Sequence, residues 1–164
     1  MGMIGRLRRT ILEKATSLYG PFLGAGIRLA EISADYRYCR VEMPLTFYNR
    51  NYVGTQFGGS LYAMVDPWFM LMLIKNLGPD YIVWDKSACI NFRKPGRGRV
   101  TAEFRLEQGV IDGIRAELGS APKTDRTFKA EIRDDSGLLI ADVVKVVNIR
   151  KKAGAQSAPV NAEE

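Results

Sequence analysis

The chain has 164 residues, of which 46% are hydrophobic and 26% charged, enough for one domain that buries most of its apolar surface without staples. It has no histidine, which excludes Ser-His-Asp and Cys-His nucleophiles, His-ligated zinc and a histidine general base. A formal charge of +6 suits nucleic acid, an anionic membrane or a phosphorylated small ligand, and nucleic acid is the weakest of the three because Lys and Arg are scattered rather than gathered with stacking aromatics.

Ile4, Leu7, Ile11, Leu12, Ala15 and Leu18 recur at helical spacing through a basic segment, which predicts an amphipathic helix over 1–22 that ends near Gly20-Pro21 and packs on the domain. Glu13 and Lys14 interrupt any apolar signal core after Arg6, Arg8 and Arg9, so a cytoplasmic protein is expected. Two strands follow, one over 26–32 and one in which Cys39, Val41, Met43 and Leu45 alternate with Arg40, Glu42 and Pro44. A long helix is expected over 57–77, stopped by Gly78-Pro79. Ile82, Trp84, Ala88, Ile90 and Phe92 alternate with polar residues, with Lys86 breaking the pattern. Val100, Ala102, Phe104 and Leu106 alternate after the Pro95-Gly96-Arg97-Gly98 turn, and the two segments read as a hairpin.

Val110, Ile111, Ile114 and Leu118 predict a short helix before Gly119. A strand through Phe128, Ala130 and Ile132 then turns at Asp134-Asp135-Ser136-Gly137 into a long Val/Ile-rich strand over 138–149. The small, polar composition of 151–164 predicts a disordered tail, leaving the domain at 23–150. Cys39 and Cys89 both fall in strand patterns and read as buried, reduced thiols. The fold class is α+β, a long helix wrapped by a curved, largely antiparallel sheet.

Within 61–74 every residue except Asp66 and Pro67 is Leu, Tyr, Ala, Met, Val, Trp, Phe or Ile. A helix apolar all round is buried, and an unpaired carboxylate in such surroundings costs several kcal/mol. Asp66 must therefore find donors, take up a proton or serve chemistry. Its bland reading is a satisfied buried carboxylate beside the break that Pro67 introduces.

The run Asn51, Gly54, Phe57-Gly58-Gly59 and Asp66, with Ile90-Asn91-Phe92-Arg93-Lys94-Pro95-Gly96 downstream, resembles the hotdog-fold thioesterases, particularly the phenylacetyl-CoA-type branch and related bacterial members. Their pattern is an Asn, a Gly, His-Gly-Gly, an Asp nine residues beyond the His, then a strand ending in an aromatic and a Pro-Gly turn. The similarity spans about residues 26–149. Phe57 stands where the family has His. The resemblance implies an acyl-CoA thioesterase acting as a homodimer, or a dimer of dimers, whose two sheets join and whose sites lie between subunits.

From the residues themselves, Asp66 is the candidate base for water, or less simply a nucleophile forming an anhydride; burial would raise its pKa. Gly58 and Gly59 offer unpaired N–H groups at a helix N-terminus for an oxyanion, or serve only close packing. Asn51 could orient water or the substrate carbonyl, and otherwise is a turn residue. Phe57 reads as a pocket wall, Ser60 or Thr55 as a helix cap, and Ser60 also as a substrate contact. Arg93, Lys94, Arg97 and Arg99 could receive coenzyme A phosphates or form a solvated basic turn.

Met64, Met70 and Met72, with Trp68 and Phe69, read as core. Gly59 and Asp66 lie about 10 Å apart along one helix, so one carbonyl and its water cannot touch both unless a second subunit completes the site. No metal or cofactor is required. The alternative function is a noncatalytic hotdog protein that binds acyl-CoA or a fatty acyl group, motivated by Phe57. A hydratase is disfavoured because its His-containing pair cannot exist here.

Overall fold

The computed structural model describes Thr16 and residues 18–152. The expected amphipathic helix and tail lie almost wholly outside these residues. At the boundary, Pro21 opens a helix instead of closing one: α1 spans Gly20–Ala25 with the proline in its first turn, where a missing N–H costs nothing. Gly26 follows it in the left-handed region, φ 74°.

Two short strands come next, β1 (Arg28–Ile32) and β2 (Tyr38–Met43). The apolar segment forms two helices, α2 (Gly58–Val65) and α3 (Trp68–Leu77), rather than the single helix expected. Pro67 has no N–H to continue the ladder, so the helix breaks at Asp66-Pro67. Side chains satisfy the carbonyls left over: the Trp68 indole donates to the Met64 carbonyl at 2.7 Å, and the Lys145 ammonium donates to the Asp66 carbonyl. The remaining elements are β3 (Tyr81–Phe92), β4 (Val100–Arg105), α4 (Gln108–Glu117), β5 (Lys123–Asp134) and β6 (Leu139–Lys151).

All six strands form one sheet in the order β1-β2-β4-β5-β6-β3, with every neighbouring pair antiparallel. The expected hairpin between β3 and β4 is therefore wrong. β3 pairs only with β6 at the sheet edge, and β4 lies between β2 and β5. The Pro-Gly loop crosses the end of the sheet because its backbone is held by other segments. Arg93 and Lys94 donate to the Ile140 carbonyl at 2.8 and 3.2 Å, and Gln56 donates to the carbonyls of Gly96 and Gly98 at 2.9 and 3.0 Å. The hairpin expected at 134–137 does form, with Gly137 at φ 85° and Asp134 Oδ1 accepting from Ser136 and Leu138 N–H groups.

Alternate residues of the sheet face α2 and α3, producing one hydrophobic core. Phe69 stacks on Phe128 at 4.5 Å and meets the edge of Phe104 at 5.3 Å, while Trp68 lies between Phe22 and Phe104. Cys39 is in this core, where burial pushes its thiol up to about 12. Cys89 is not: it is exposed, because its place on β3 points it to the sheet face away from the helices. Among the described residues no helix is long and apolar enough to cross a membrane.

Lys86, which interrupts the alternation in sequence, marks a β-bulge. The register with β6 shifts between Asp85↔Val147 and Ser87↔Val146. The extra residue changes the strand's parity, so Val83 and Asp85 face the helices before the bulge, and Ala88, Ile90 and Phe92 face them after it. Lys86 itself reaches Asp125 on β5 at 2.6 Å.

Candidate functional site

Two places hold the chemistry suggested by the sequence. The first is the N-terminal end of α2, where a cleft of about 420 Å³ is lined by residues that include Asn51, Gln56, Gly58, Phe92, Arg93 and Lys94. Thus the structure brings together four of the expected site residues, Asn51, Gly58, Arg93 and Lys94. Asp66 does not line this cleft, and neither does Arg97, which sits in a separate depression with Arg99 and Asp135.

Phe57 is the N-cap of α2, and no side chain caps the helix, so neither Thr55 nor Ser60 does so. Ser60 is buried, and Thr55 accepts a hydrogen bond from Asn51 Nδ2 at 2.9 Å. The first-turn N–H groups consequently retain their partial positive charge. Both glycines are covered by rings. A Cβ on Gly58 would stand 3.0 Å from the Phe92 ring, and one on Gly59 only 2.5 Å from the Phe57 ring. A side chain at either position would have to push aside an exposed ring, and Phe57 roofs the N-terminus where the family pattern has His.

Asn51 holds its own loop: its side-chain oxygen accepts from the N–H groups of Val53 and Thr55, at 3.1 and 2.9 Å, while its amide donates to Thr55 and Gln56. This is the turn role. Arg93 pairs with Asp142, and Arg99 with Asp135 at 3.0 Å and Glu42 at 3.8 Å. Lys94 and Arg97 have no ion-pair partner among the described residues, so their charges are available to an anion.

The second place is the break between α2 and α3. Asp66 is not buried there, contrary to the sequence expectation: 44% of its side chain is exposed, at the point where Pro67 interrupts the helix. Lys145 is instead the buried charge, only 2% exposed. Its ammonium donates to Asp66 Oδ1 at 2.8 Å, to Asp85 Oδ2 at 2.8 Å and to the Asp66 carbonyl. Those three acceptors account for all three ammonium hydrogens, which is what burying a lysine requires.

Asp85 is pushed above the usual carboxylate range by burial, against the opposing pull of Lys145. Its Oδ1 is buried with no hydrogen-bond partner among the described residues. The Tyr62 hydroxyl is pushed up to about 12, by burial first and by Asp66 second. Tyr62, Asp85 and Lys145 escaped the sequence reading. A signal existed for Lys145, which shares strand parity with Val143, Val147 and Ile149 and is thus inward-facing within an otherwise apolar row.

A family model described as "Domain of unknown function (DUF4442)" matches residues 8–149. The chain belongs to the DUF4442 family. Among solved structures it is similar to PA5026 from Pseudomonas aeruginosa, named there as a protein of unknown function and probable thioesterase, with 21% identity, a TM-score of 0.74, and 90% of this chain and 95% of that chain covered. It is also similar to the thioesterase HI1161 from Haemophilus influenzae, with 15% identity, a TM-score of 0.63, and 88% and 92% coverage. A Chlorobaculum tepidum protein of unknown function, OLEI01261, aligns at 16% identity and a TM-score of 0.70, with 87% and 94% coverage. No curated protein matches the sequence. These likenesses establish the hotdog fold for this DUF4442 member, with α2 and α3 as the interrupted central helix.

Proposed function

We propose that this DUF4442 protein hydrolyses acyl thioesters of coenzyme A, with Asp66 as the base that activates water. The observation that carries the reading is a carboxylate held at one oxygen by a fully buried lysine while 44% of its side chain faces outward. A water molecule gives its proton to Asp66 as its oxygen attacks the thioester carbonyl. The tetrahedral intermediate then collapses, the C–S bond breaks and the thiolate leaves, after which Asp66 gives its proton to solvent and is restored as the base. Thiols have pKa values of about 8.5, so no general acid is required and the absence of histidine is tolerated.

The oxyanion needs donors, and the N–H groups at the start of α2 are suited to it. They are about 10 Å from Asp66 on the same chain, too far for one substrate carbonyl. A second copy resolves this. Strand β3 is twelve residues long and pairs on one side only, with Trp84 63% and Phe92 57% exposed along it. Such an edge pairs readily with another strand. Antiparallel pairing that sets Asp85 opposite Phe92 of a second copy brings the Asp66 cluster to that copy's Gly58, since Phe92 rests on Gly58. Lys94 at the cleft mouth supplies a cation for the coenzyme A phosphates.

Release of free thiol from a panel of acyl-CoAs tests the activity. Turnover of at least one acyl class is expected. Tight acyl-CoA binding without turnover would instead select a binding protein, in which the Phe57 roof over Gly59 has closed the oxyanion end.

A further inference from the structure

Lys145 and Asp85 take no part in the chemistry described so far, yet the fold goes to some length to place them. Lys145 is the sole charged side chain among the most deeply buried described residues, in the middle of an apolar strand face. The β-bulge at Lys86 is what turns Asp85 inward beside it; without the extra residue Asp85 and Ala88 could not share a face. Ala88, directly across from Lys145 in the β3–β6 register, leaves room for the long side chain.

We infer that Lys145 and Asp85 are positioning residues for Asp66, a paired brace across β6 and β3 that fixes the rotamer of the base. This rests on the proposal that Asp66 activates water. Lys145 grips Asp66 twice, at Oδ1 and at the main-chain carbonyl, so both the side chain and the helix break from which it projects are tied to β6. With Lys145 on Oδ1 and the Tyr62 hydroxyl hydrogen-bonded to the same carboxylate, the side chain is held in one orientation. Asp85 holds the lysine from the opposite side, and its second oxygen stays free of partners among the described residues.

The charged and titratable groups facing the cluster are Tyr62 from α2, Asp66 from the helix break, Asp85 from β3 and Lys145 from β6. Removing either brace should lower kcat and leave KM nearly unchanged, because a base held off its line costs turnover rather than binding. A scaffold that only braced the helix break would not give that pattern.

The test is steady-state acyl-CoA hydrolysis by full-length wild type, Lys145→Met and Asp85→Asn, with a thermal melt of each. Asp85→Asn is expected to lower kcat by about tenfold at nearly unchanged KM. A fall in kcat of about 100-fold in Lys145→Met, with KM little changed, is expected from the misplaced base.

Asp85→Asn is nearly isosteric and a quarter exposed, which keeps the test available if Lys145→Met does not fold. An unchanged kcat in the folded variants would overturn the inference. Full activity in Asp66→Asn would overturn the catalytic reading instead, so the two failures are told apart.

Discussion

Asp66→Asn is expected to lower kcat for acyl-CoA hydrolysis by about 10²- to 10⁴-fold, the usual contribution of a positioned general base. The amide keeps an oxygen for the Lys145 ammonium and retains the side-chain volume, but it cannot accept a proton from water. Lys145 also keeps Asp85 and the Asp66 main-chain carbonyl as acceptors. Because the carboxylate is 44% exposed, the stability change should be that of a partly solvated pair, about 1 kcal/mol or less. The melting temperature should then stay within about 4 °C of wild type, and KM should be nearly unchanged. Steady-state kinetics beside a thermal melt check both halves, and unimpaired turnover would remove Asp66 from the mechanism.

Phe104→Ala carries the largest expected effect on stability. Phe104 is fully buried on β4 and meets both Phe69 and Trp68, the aromatic residues at the start of α3. Truncation leaves a cavity beneath the helix that relaxes only in part, because the opposite wall is the stacked Phe69–Phe128 pair. The cost is about 3 to 5 kcal/mol, and melting should fall by roughly 10 °C or more. Denaturant unfolding with an unchanged m-value and a lowered midpoint would show lost packing rather than a changed unfolded state. An unaltered midpoint would contradict the placement of Phe104 at the centre of the core.

Much of this fold was legible because it depends on local periodicity. Val100, Ala102 and Phe104 alternate in sequence and in burial, Asp134 to Gly137 forms the turn its residues favour, and Ile111 and Ile114 give α4 its buried side. The pairing of β3 was misread because Pro95-Gly96 suggests a turn regardless of where the chain goes next. Only the long-range bonds from Gln56 and to Ile140 show that this loop crosses the end of the sheet.

The site was half legible for a similar reason. Apolar neighbours in sequence made Asp66 look buried, but exposure is set in three dimensions, here at the Pro67 break where Lys145 of β6 holds the carboxylate. Its partners Asp85 and Lys145 are 19 and 79 residues away in the chain, and a bulge places one of them, so no local pattern joins them. Lys86 was visible as an interruption, yet its consequence for the parity of Asp85 required the β6 register.

Mixed dimers test the central claim most directly, that Asp66 of one subunit serves the α2 N-terminus of the other. Asp66→Asn lacks the base, and Gly58→Val obstructs the cleft and displaces Phe92, so each homodimer should be inactive. Random reassortment of equal amounts gives one intact composite site in each mixed dimer, and about a quarter of wild-type activity should return. Activity no higher than that of the separate variants, with mixed dimers demonstrated by mass, would contradict the account.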